Sequence, residues 1–169
     1  MAGYLLDTSV LIALVDSKHT HHAAARRALS LMSASDLQFV SAISIGEIST
    51  GVASIQKVHG RTPLHAHQVL AEAQSRSVLN VTPQVGEAYG ALKAAMAAYF
   101  MPNSKNRPAF LEDWIVDVVT GKRLGINEND LWICAQGFER DLNILSCDGD
   151  FERVQKAEPR LKVQILRAI

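Results

Sequence analysis

Asp7 closes the run YLLD, Glu47 sits in SIGEI, Asp130 opens NDLWICA and Asp148 follows NILSC, so an acid stands at the junction of each of these short elements. Carboxylates placed where strands stop and helices start can converge on one pocket. No lysine or arginine lies inside any of the motifs to neutralise them. Two like charges ~4 Å apart repel by about 4 kcal/mol at an effective dielectric near 20. A cluster of this kind therefore needs protons or a cation, and magnesium is the obvious candidate.

Each acid also has a plainer explanation. Glu47 stands three residues after Ser44, the capping-box spacing, and its side chain could simply satisfy the start of its own helix. Asp130 could be a first-turn acid favoured by the helix dipole, with Asn127 or Asn129 as cap. Asp7 and Asp148 could be ordinary turn residues after strands. Taken together the acids are harder to dismiss, because all of them fall where one sheet edge could gather them.

The elements that would do the gathering alternate. GYLLD reads as a strand, followed at once by a helix through VLIALVD capped by Thr8 or Ser9. A second helix spans about 20–33, with Ala25, Ala28, Leu29 and Met32 on one face. LQFVSA is a strand. A helix from Ser44 then carries Ile45, Ile48, Val52 and Ile55 on one face. LHAHQVLAEAQS is helical, SVLNV is a short strand, and a long helix runs from Pro83 to about Tyr99. Beyond it come the helix DLWICAQGFER, the strand NILSC, a helix start at DGDF and a last strand near KVQIL. This alternation predicts an α/β fold: a central parallel sheet flanked by helices, whose functional crevice lies beyond the carboxyl ends of the strands. Residues 101–121 interrupt the rhythm, and Pro108 begins an inserted helix over about 108–120 whose apolar face is Phe110, Leu111, Trp114, Ile115 and Val118. The expected organisation is a single domain over 1–169.

A chain of 169 residues that is 48% hydrophobic and 20% charged can bury one core, and disorder is not expected. The apolar stretches are too short to span a bilayer, and MAGYLLDTS lacks the pattern of a signal peptide, so a cytoplasmic protein with no membrane association is expected. Seventeen basic residues balance seventeen acidic ones, which argues against coating nucleic acid by bulk charge and leaves a local basic patch open. Cys134 and Cys147 lie outside any zinc-ligand spacing and are expected to be buried reduced thiols. His19, His21 and His22 bunch too closely for a helical ligand pair and receive no catalytic role. With 6% aromatic residues, no base-stacking platform is evident; Trp114 and Trp132 are read as core or interface residues.

The run LLDTSVLIAL, then SAISIGEI, NENDLWICAQG and ILSCDGDFERV, in that order, resembles the PIN-domain family, and within it the VapC-type toxins of bacterial toxin–antitoxin pairs. The resemblance covers nearly the whole chain. It implies a PIN-like fold and Mg2+-dependent cleavage of RNA phosphodiester bonds, with Mn2+ as a substitute ion. The family's acidic site falls on Asp7, Glu47, Asp130 and Asp148, as catalytic residues and metal ligands. Asp150 matches the second acid of the terminal D-x-D-F pattern, as a less secure ligand, a metal-positioning residue or a helix cap, and Thr8 and Ser146 match supporting hydroxyls. The implied partners are an RNA substrate, a cognate antitoxin protein and a second copy in a homodimer. Departures from the family pattern are the lengthened 101–121 segment and Cys147, where a polar or basic residue is common. For RNA approach, Lys18, Arg26, Arg27, Lys122 and Arg123 are basic candidates near the motifs, each with a solvated face as the plainer role. The alternative functions are a housekeeping RNA-processing nuclease with the same site, and an acid-pocket phosphotransfer or receiver-type domain. The latter lacks its expected lysine after the late strand and, at Ser9, its second acid.

Overall fold

A computed structural model describes residues 2–61, 64–102 and 126–168. In chain order the elements are β1 (Gly3–Leu6), α1 (Thr8–Val15), α2 (His22–Ser30), β2 (Leu37–Ser41), α3 (Ala42–His59), α4 (Leu64–Gln74), β3 (Ser77–Leu79), α5 (Pro83–Phe100), α6 (Glu128–Glu139), β4 (Asn143–Ser146), α7 (Phe151–Ala157) and β5 (Val163–Ile165). The strand–helix alternation expected from the sequence is present. The inserted helix over 108–120, with Trp114, Lys122 and Arg123, lies outside the described residues.

The five strands form one sheet in the order β3-β2-β1-β4-β5, and every pairing is parallel. Because strand side chains alternate, neighbouring apolar residues serve opposite faces. Leu5 and Ile144 join the core beneath α5, α6 and α7, where Val85, Leu92, Met96, Phe100, Leu131 and Phe151 are buried. Leu6 and Leu145 point the other way, into a core with Val10, Leu11 and Leu14 of α1, Ile48 of α3 and Val69 of α4. The central strands are therefore apolar on both faces, as a covered parallel sheet requires.

This topology fixes the site's position. From β1 the chain winds outward through β2 and β3, then returns to place β4 on the other side of β1. The loops leaving β1 and β4 diverge at that switch point, the place at the strand carboxyl ends where sheets of this kind bind ligands. α6 lies close on β4: a Cβ built on Gly137 would sit 2.6 Å from the Ile144 side chain, so glycine is needed for that approach.

Local boundaries differ from expectation in three places. α1 is capped by Asp7, whose side chain accepts from the Ser9 amide, and not by Thr8 or Ser9. α3 begins at Ala42 with Ser41 as its cap, so Ser44 is a buried residue inside the helix and the Ser44–Glu47 capping box does not form. α6 begins at Glu128 under an Asn127 cap, leaving Asn129 without a capping role. Cys134 is buried, whereas Cys147 is half-buried; both are free thiols.

Candidate active site at the sheet switch point

Asp7 leaves the end of β1, and its backbone amide still pairs with the Leu145 carbonyl of β4 at 2.9 Å. Its carboxylate is 4% exposed and accepts from two hydroxyls, Ser9 Oγ at 2.6 Å and Ser146 Oγ at 2.9 Å. Each serine also accepts a backbone N–H from the loop after β4: Cys147 to Ser9 at 2.9 Å and Asp148 to Ser146 at 2.9 Å. The two hydroxyls therefore bridge the β1 and β4 exits, donating to Asp7 while accepting from the turn that carries Asp148. The sequence offers Ser9 only as a cap of the first helix; its hydroxyl instead supports Asp7, a role signalled by the second hydroxyl residue in LLDTS.

Asp130 closes a capping box with Asn127, whose side chain accepts the Asp130 amide at 2.9 Å while Asp130 Oδ2 accepts the Asn127 amide at 3.4 Å. The capping explanation is thus true of Asp130 as far as it goes. It leaves the other carboxylate oxygen without a hydrogen bond among the described residues, in a residue that is 8% exposed. Glu47, by contrast, sits in the second turn of α3, where no free backbone amide needs it. Its two oxygens instead accept from Thr8 Oγ1 at 2.5 Å and Asn129 Nδ2 at 3.0 Å. Asp148 is exposed at the rim, and its Oδ1 accepts the Asp150 amide at 2.9 Å.

The electrostatics tie these groups together. The Asp130 carboxyl is pushed up to about 7, first by burial, then by the charge of Asp7, with Asp148 and Glu47 adding further repulsion against the lowering effect of Asn127. Asp7 is also raised, because burial outweighs its bonds from Ser9 and Ser146. Asp150 is raised by burial and by Asp148, and an ion pair with Arg153 at 2.7 Å opposes the shift. That pair, from the N-cap of α7 to Arg153 within it, gives Asp150 a counter-ion that Asp7, Glu47, Asp130 and Asp148 lack among the described residues, and the Asp150 side chain makes no cap bond.

Among the described residues, none of the other candidates hydrogen-bonds or ion-pairs with these four acids. Lys18, Arg26 and Arg27 are exposed. His19 and His21 contact one another between α1 and α2, and His22 Nδ1 meets the Ala13 carbonyl at 2.8 Å. Trp132 is half-buried and stacks on Tyr89, whose hydroxyl donates to Glu128, while Lys93 pairs with Glu128 at 2.5 Å. Beside Glu47, the groove between α1, α3 and α4 encloses about 360 Å3 and is lined by Ile12, Ile48, Ile55 and Val69.

As donors, these carboxylates are hard oxygen ligands, suited to Mg2+ or Mn2+ and unsuited to metals that prefer thiolate. Among the described residues no three acid, thiol or imidazole side chains yet share one ion-sized position. The donor chemistry fits a hard divalent ion, and the mutual repulsion at Asp130 is what such an ion would relieve.

The PIN-domain family model matches residues 4–157, and the chain belongs to that family. No curated protein sequence matches it. Several solved structures share the fold. VapBC2 from Rickettsia felis, bound to a DNA fragment from its promoter, aligns over 99% of this chain and 99% of that chain, with a TM-score of 0.66 and 14% identity. VapBC-1 from nontypeable Haemophilus influenzae aligns over 97% and 98% respectively, with a TM-score of 0.62 and 19% identity. VapC20 from Mycobacterium tuberculosis, a sarcin-ricin loop cleaving toxin, aligns over 88% and 92%, with a TM-score of 0.51 and 18% identity.

Proposed function

We propose that this protein is a divalent-metal-dependent endoribonuclease, the toxin of a toxin–antitoxin pair. The observation that carries the reading is the electrostatic coupling of Asp130 to Asp7, Asp148 and Glu47, which adds to burial in pushing its carboxyl up to about 7. Asp7, Glu47, Asp130 and Asp148 would hold Mg2+ or Mn2+, directly or through water, with Asp150 at the margin because Arg153 already engages it. When bound, the ion supplies a more acidic water and offsets charge on the phosphate oxygens. The chain's own contributions are distinct. Ser9 and Ser146 hold Asp7 in one orientation, and the α6 capping box fixes Asp130. The acids also repel a phosphodiester until cation charge is present, so binding of RNA depends on the metal as much as the chemistry does.

RNA as substrate and the toxin role rest on membership of the PIN family and on likeness to VapC and VapBC proteins. The apolar groove beside Glu47 supports a partner: an antitoxin segment seated on Ile12, Ile48 and Ile55 would lie against the site and silence it. A homodimer and a cytoplasmic location are part of the same proposal. Among the described residues no helix is long and apolar enough to cross a membrane.

The test is expression of the chain in bacteria. Growth arrest that requires Glu47, accompanied by new RNA ends at defined positions, is expected. Harmless accumulation of RNA-cleaving protein would instead indicate a housekeeping nuclease, and intact RNA in arrested cells would remove the ribonuclease assignment.

A further inference from the structure

Asn129 is exposed, stands second in α6 and caps nothing, because Asn127 already occupies the cap. The first turn of a helix favours acidic side chains, and Glu128 and Asp130 flank Asn129 on either side. A neutral amide between them is therefore not explained by the helix. Its side chain reaches across to α3, where Nδ2 donates to Glu47 Oε1 at 3.0 Å. Thr8 Oγ1 donates to the other oxygen, Oε2, at 2.5 Å. An aspartate at 129 would face Glu47 with like charge, whereas the amide N–H supplies a donor.

We propose that Asn129 is a positioning residue that, paired with Thr8, holds the Glu47 carboxylate ready to take a divalent ion. The inference rests on the reading of Glu47 as a ligand. Glutamate on a helix surface has three side-chain torsions to restrain, and an ion that must order them itself binds more weakly. One donor on each oxygen removes that freedom. It leaves lone pairs on both oxygens, since an ionised carboxylate has about four acceptor positions. The two donors adjoin Asp7 and Asp130 in the chain, so the same contacts register three acids from three elements, α1, α3 and α6. Outer partners of this kind commonly set metal affinity by orienting the ligand.

The experiment is a double-mutant cycle on the full chain, read by calorimetric titration with Mn2+ and by the melting temperature of the chelated protein. Asn129→Ala should weaken Mn2+ binding about tenfold while leaving the metal-free melting temperature unchanged, and Asn129→Ser should repeat the loss. In a Glu47→Ala background the Asn129 substitution should cost nothing further. RNA cleavage by Asn129→Ala should fall at low Mn2+ and return to the wild-type rate at saturating Mn2+. Wild-type affinity in both Asn129 variants, or a loss of the same size without Glu47, would overturn the proposal while leaving the metal site standing. A wild-type protein that takes up no Mn2+ would instead remove the metal reading itself, and this inference with it.

Discussion

Asp130 carries two duties that pull against each other. Its capping bonds favour the ionised form, while burial and Asp7 favour the protonated one, and the second pair wins, leaving the carboxyl at about 7 against an ordinary 3.8. A carboxyl whose folded pKa is raised binds more protons when folded than when unfolded. Its favourable contribution is complete below about 3.8 and is lost as pH climbs through about 7. The chelated protein should therefore lose stability between pH 4 and 7, by on the order of 4 kcal/mol if Asp130 alone is responsible. Asp7, raised in the same direction, adds to the trend. Denaturant unfolding in chelator at pH 5 and pH 8 measures it. Asp130→Asn should flatten the profile and melt higher than wild type at pH 8, since it removes the charge and keeps the shape. Stability that rises across this range would mean that burial and the neighbouring acids do not raise the Asp130 carboxyl.

At the scale of elements, the site is built from helix starts and strand ends. Asp7 caps α1 and Asn127 caps α6, so the bonds that begin those helices also aim the acids. Asn127→Ala should cost about 1 kcal/mol of stability and, by freeing the start of α6, weaken Mn2+ binding as well. Urea unfolding alongside metal titration checks both, and lost stability with unchanged affinity would show that the cap does not orient Asp130. Much of this was legible beforehand: the acids could be picked out because each ends an apolar run or opens a periodic one. What the sequence left ambiguous was which polar residue starts each helix. Ser41 and Ser44 both precede the α3 periodicity, and the apparent capping box at Ser44–Glu47 fits the spacing rule. The helix starts earlier because β2 ends at Ser41, whose Oγ accepts the Ile43 amide at 2.9 Å. Asn127 and Asn129 posed the same choice. There the long-range bond from Asn129 to Glu47 had no local trace, since its partners are far apart in the chain.

For the whole molecule, alternating strand and helix patterns sufficed to read a parallel α/β sheet, because both faces must be covered by helices drawn from the same chain. Strand order was not readable. That β1 lies between β2 and β4 depends on which faces pack together, and it is this order that brings the exits of β1 and β4, which carry Asp7 and Asp148, side by side. If the site takes an ion, Mg2+ or Mn2+ should raise the melting temperature with the logarithm of its concentration above Kd, a stabilisation of about 2.7 kcal/mol at a hundredfold excess. No shift at millimolar concentrations of either ion would speak against it. The most direct measurement is cleavage of purified RNA by the isolated protein in Mg2+, in chelator, and after Mg2+ is restored, with Asp130→Asn in parallel. Cleavage is expected only by wild type and only with metal, lost in chelator and regained on restoring Mg2+. The variant should cleave more than about a hundredfold more slowly, beyond what loss of an outer hydrogen-bond partner costs. Cleavage that survives chelation, or that Asp130→Asn performs at the wild-type rate, would contradict it.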